Sequence, residues 1–91
     1  MIIIDLKPIN DSRKSFYGKA KLVVSNGCID LLSYDTFIAS YNSDTGVLIY
    51  NEYFDYSQTT LRHLKEFIFQ CLGKVVGIKE LRDNKERVIT R

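Results

Sequence analysis

The apolar residues of this chain change period once, near residue 56, and that switch confines the fold to a sheet followed by a helix. Over residues 15–51 apolar and polar positions alternate as they do along strands solvated on one face. In residues 16–25, Ala20, Leu22 and Val24 share one face while Lys19, Lys21, Val23 and Ser25 take the other. Asn26-Gly27, two residues that tolerate positive φ, then marks a two-residue hairpin. The next strand, 28–34, sets Ile29, Leu31 and Ser33 against Cys28, Asp30, Leu32 and Tyr34, and continues through a bend near Asp35 into residues 36–41. Residues 42–46 carry turn chemistry and residues 47–51 return as a strand.

Beyond the aromatic loop 52–56, Leu61, Leu64, Ile68 and Leu72 form one helical stripe flanked by Phe67 and Cys71. Ser57 or Thr59 suits the N-cap, and Gly73 stands where a helix closes on a left-handed residue. A shorter helix follows over residues 78–87, with residues 86–91 fraying at the end. Residues 2–6 offer another short strand, interrupted by Pro8. The expectation is therefore one α+β domain, residues 1–91: an antiparallel sheet of three to five strands, one main helix packed on a face, and a short C-terminal helix.

With 91 residues, 45% of them hydrophobic, the chain can bury one core without metal or disulfide. Cys28 and Cys71 read as reduced thiols of a cytoplasmic protein with no secretory leader. The apolar start is broken by Asp5 and Lys7, well short of the about 20 residues of a membrane span, so no membrane association is expected.

Charge is segregated along the chain. Residues 1–21 carry a net +3, residues 22–61 contain five acids and no cation, and residues 62–91 return to +4. Five of the six tyrosines lie in the acidic stretch, where a phosphate backbone is repelled and a protein surface is not.

The densest polar run, Tyr56-Ser57-Gln58-Thr59-Thr60-Leu61-Arg62-His63, falls at the start of the main helix. His63, the only histidine, has no second ligand or acid at helical spacing, so neither a metal site nor a catalytic triad is assigned and no cofactor is expected. Tyr34, Thr36, Thr60 and His63 are expected to meet where the helix enters above the sheet, as a structural network or a small recognition site.

Three strings, Lys14-Ser15-Phe16-Tyr17-Gly18-Lys19-Ala20, Leu32-Ser33-Tyr34-Asp35-Thr36-Phe37-Ile38-Ala39 and Tyr56 to His63, resemble the motifs of a family of small uncharacterised proteins from bacteriophages and other mobile elements of Gram-positive and gut bacteria. This chain departs from them at Gln58, where the family commonly has a small residue. The resemblance implies a small phage protein acting in the cytoplasm of a host cell and brings no activity with it. The leading expectation is thus a non-enzymatic protein that binds a host protein, such as a CRISPR nuclease or another defence component, through Tyr34, Thr36, Tyr53, Tyr56, Thr59, Thr60, Arg62 and His63. The alternative is nucleic-acid binding through Arg62, Lys65, Lys74, Lys79, Arg82 and Arg87, and a third reading is a structural phage component or a homodimer paired through an edge strand.

Overall fold

A computed structural model describes all of residues 1–91. Six strands form one wholly antiparallel sheet in chain order: β1 (Ile2–Asp5), β2 (Ala20–Ser25), β3 (Cys28–Ser33), β4 (Thr36–Asn42), β5 (Val47–Tyr50) and β6 (Val88–Thr90). Between β5 and β6 the chain makes a 3-10 turn (Glu52–Asp55), the main helix α1 (Gln58–Leu72) and a short helix α2 (Ile78–Asp83). The α+β class and the packing of one main helix on one face of the sheet agree with the sequence pattern.

The strand count does not. The segment 28–41 is two strands rather than one bent strand, because Tyr34 and Asp35 both take positive φ, 52° and 67°, and close a hairpin. Neither residue is glycine or asparagine, so the pair reads as a bend rather than a hairpin turn. Replacing the exposed Asp35 by glycine should relieve the left-handed conformation and stabilise the fold by about 0.5–1 kcal/mol, read as a raised Tm. The second helix stops at Asp83 instead of running to residue 87, and residues 88–90 return as β6 instead of fraying. Three residues are too few to display a period. The 16–25 segment, finally, becomes a strand only at Ala20, since Tyr17 and Gly18 turn the chain at φ 53° and 72°.

The core lies between α1 and the sheet face formed by Ala20, Leu31, Ala39, Tyr41, Leu48 and Tyr50. Leu61, Leu64, Phe67 and Ile68 face it from the helix. A single bulge interrupts the ladder between β3 and β4. Leu31 pairs with Ala39 and Leu32 with Phe37, which leaves Ile38 without a partner on β3 and turns it inward beside Ala39. Its carbonyl instead accepts the Asn51 N–H, at 2.8 Å.

Candidate functional site

The bulge at Ile38 fixes the segment that builds the site. Asn51, tied to the Ile38 carbonyl, also donates its side-chain amide to the Phe37 carbonyl at 2.6 Å and accepts the Tyr53 N–H at 3.0 Å. The 3-10 turn is thereby held against the end of β4, and it buries Phe54 against Tyr50 while leaving Tyr53 and Tyr56 in solvent. Ser57 follows as the N-cap of α1, accepting the Thr60 N–H at 3.1 Å, and Gly73 closes the other end in the left-handed conformation.

Between the β3–β4 hairpin, the 3-10 turn and the start of α1 opens a cleft of about 620 Å³. Tyr34, Tyr53 and Tyr56 wall it, Thr36 and Thr59 stand at its sides, and Ile38, Ser33, Ser57 and Thr60 line the remainder. None of the nine lining residues is charged. Six of the eight residues expected from sequence to form a binding site are therefore brought together here: Tyr34, Thr36, Tyr53, Tyr56, Thr59 and Thr60.

The other two are placed elsewhere. Arg62 points away, forming an ion pair with Asp11 at 3.0 Å beside a second, smaller polar cleft. His63 sits behind the wall, wholly buried, with Phe16 edge-on at 4.6 Å between ring centroids and Tyr34 at 5.9 Å. Each of the three motifs thus contributes to one place: Phe16 from the first, Ser33 and Tyr34 from the second, Thr60 and His63 from the third.

Ser33 is the hub that sequence reasoning missed. Its hydroxyl lies 2.7 Å from His63 Nδ1 and 3.1 Å from Thr60 Oγ1, which in turn accepts from Ser57 Oγ at 3.2 Å. Ser57 Oγ donates to Thr60 Oγ1, and Thr60, Ser33 and His63 Nδ1 continue the chain, with the direction of its last two bonds set by the histidine tautomer. The other ring nitrogen, Nε2, is a buried atom with no hydrogen-bond partner. Burial holds the imidazole down, at about 4, with Asp11 opposing that effect and Arg13 adding to it. The available signal was a serine at an inward position of β3, in step with Leu31 and Ile29.

Ser33 and His63 stand at the separation of a nucleophile and its base, but the arrangement lacks what such a pair needs. No group orients the ring through Nε2, and an imidazole held at about 4 is a weak base at neutral pH. The network is a fastener joining α1 to the hairpin. No three His, Cys, Asp or Glu side chains approach closely enough to hold a metal ion. Burial pushes the Cys71 thiol up to about 12. No helix is long and apolar enough to cross a membrane.

Most of the basic residues expected to contact nucleic acid are engaged within the chain. Arg82 pairs with Asp55 at 3.2 Å, Lys79 with Asp83 at 3.1 Å, and Lys74 donates to the Thr90 carbonyl. Of the six cations expected to contact nucleic acid, only Lys65 and Arg87 make no ion pair and cap no carbonyl. The Arg82–Asp55 pair also joins the acidic and basic stretches of the sequence, so they do not segregate onto separate faces there.

A model of a family of unknown function, DUF8033, matches residues 4–85 of the chain. No curated protein and no solved structure matches it.

Proposed function

The chain belongs to DUF8033, a family of unknown function, and we propose from its site that it works by binding rather than by catalysis: a small interaction protein of phage or mobile-element origin that engages a host protein. The cleft walled by Tyr34, Tyr53 and Tyr56 carries this reading. Tyr53 and Tyr56 are 53% and 85% exposed, held by a capped backbone, and tyrosine supplies large contact area for little lost entropy. The cleft has no formal charge, so it favours an uncharged, largely apolar side chain of the partner, with the Tyr, Thr36 and Thr59 hydroxyls at its rim to take polar backbone. Resemblance of the three convergent motifs to phage proteins supports the origin, and makes a defence component such as a CRISPR nuclease the class of target to test first.

The test is capture from host lysate at micromolar bait, comparing the native chain with a Tyr53→Ala, Tyr56→Ala variant. Both rings are exposed, so the Tm of the variant should change little, whereas exposed aromatic anchors of this kind are worth about 2 kcal/mol each in an interface. A protein retained by the native chain and reduced at least about tenfold by the variant is the expected result. Equal capture by both chains, or no specific protein, sinks the proposal. Salt-sensitive retention of nucleic acid by both would favour the basic residues instead.

A further inference from the structure

The two edges of the sheet are treated differently by the chain. Along β6 the outward carbonyls are those of Val88 and Thr90, since the Arg87 carbonyl and the Arg91 N–H bond inward to β5 and its flanks. Both are already occupied: Asn84 Nδ2 donates to the Val88 carbonyl at 2.9 Å and Lys74 Nζ to the Thr90 carbonyl at 2.6 Å. Side chains thus occupy the outward carbonyls of this edge.

No such device guards β1. The Leu6 N–H bonds to the Ala20 carbonyl, which sets the phase of the ladder: Ile2, Ile4 and Leu6 bond to β2, while Ile3 and Asp5 turn their amides and carbonyls outward. The next outward carbonyl, that of Lys7, is capped by Gln70 Nε2 at 2.7 Å, but no side chain bonds to the backbone of Ile3 or Asp5. The strand Ile2–Asp5 contains no lysine, proline or bulge, and Ile2, Ile3 and Ile4 are 62%, 58% and 48% exposed. Such an edge is a template for a further strand.

From this contrast we infer that β1 is an interface, and that its occupant is the β1 strand of a second copy of this chain, paired antiparallel about a two-fold axis at Ile3. In that register Ile3 exchanges both backbone bonds with Ile3 of the second copy, Ile2 faces Ile4, and Asp5 faces Met1. Every pair contains an uncharged residue. The two Asp5 carboxylates lie four positions apart along the strand, about 14 Å, beyond the screening length at physiological salt. The axis stands normal to the sheet, so the pairing makes one continuous twelve-stranded sheet with both α1 helices on the same face. This surface is separate from the tyrosine cleft and does not depend on what the cleft binds.

Sedimentation equilibrium at micromolar concentrations tests it, with Ile3→Lys as the variant. Ile3 is exposed in the single chain, so lysine there leaves the fold intact, but in the dimer it sets two lysines directly opposite each other, with Cα atoms about 5.5 Å apart. The native chain is expected at dimer mass, with association at least about tenfold weaker in I3K. Hydrogen exchange on the native chain supplies the second readout: protection of the Ile3 and Asp5 amides should rise with protein concentration. A native chain that stays monomeric, a dimer that I3K leaves unchanged, or exchange at Ile3 and Asp5 independent of concentration overturns the inference.

Discussion

Acidification should destabilise this protein through one residue. The unfolded chain takes up a proton on His63 near pH 6.5, whereas the folded chain refuses it until about 4, because the ring is buried. Between those values the unfolded state binds the extra proton, so stability falls as pH falls. The contribution is complete above pH 6.5, shrinks through the window, and is lost once pH drops below about 4. The whole interval corresponds to about 3 kcal/mol, a large part of the stability of a domain this small. Urea unfolding at half-unit steps from pH 7 to pH 4 measures it, with His63→Gln as the control, since an amide can pair with Ser33 in either direction and does not titrate. The native chain should lose about 3 kcal/mol more than the variant over that range. Parallel curves would mean that His63 is hydrated in the fold and that the Ser33–His63 fastener is looser than its 2.7 Å separation implies.

That fastener shows where the sequence was legible and where it was not. The helix was readable because fifteen residues repeat one apolar stripe and end on Ser57 and Gly73, whose capping roles are local chemistry. The Asn26-Gly27 hairpin was readable for the same reason. The junction of Tyr34, Thr36, Thr60 and His63 could be anticipated because a polar helix start had to cross the end of a sheet, yet its centre, Ser33, was hidden. A serine on a strand becomes a hub only when a helix thirty residues later sets a histidine against it. Arg62 lies outside the cleft because it shares the helix stripe of Gln58, Lys65 and Glu66, which faces Asp11 and the loop after β1. The hairpin at Tyr34 and Asp35 read only as a bend because the pair contains no glycine, although both residues take positive φ. The β6 strand was illegible because its stability comes from β5 and from the Asn84 and Lys74 caps rather than from its own three residues.

The loop between β1 and β2 depends on one carboxylate to the same degree that the hairpin depends on His63. Glu66 is 1% exposed on the middle of α1, and its Oε1 accepts the N–H groups of Asn10 and Asp11 at 3.0 and 2.8 Å, while Oε2 accepts from Gln70 at 2.6 Å. Gln70 in turn holds the Lys7 carbonyl, so a buried charge on the helix pins the segment that carries β1 on one side and Phe16, which packs on His63, on the other. Glu66→Ala leaves two backbone donors without an acceptor and should cost about 3–4 kcal/mol, each bond to a charged acceptor being worth roughly 1.5–3. Glu66→Gln keeps one acceptor for the loop but turns an amide donor toward the Gln70 donor, and should cost roughly half as much. By contrast, Arg62→Ala, which breaks the partly exposed pair to Asp11 in the same loop, should cost less than about 1 kcal/mol. Chemical denaturation of the three variants ranks these effects, and hydrogen exchange locates them: in Glu66→Ala the Leu6 N–H, bonded to Ala20, should lose protection before the amides of β3 and β4 do. If Arg62→Ala proved the costlier change, the loop would be held by surface ion pairing rather than by the buried carboxylate.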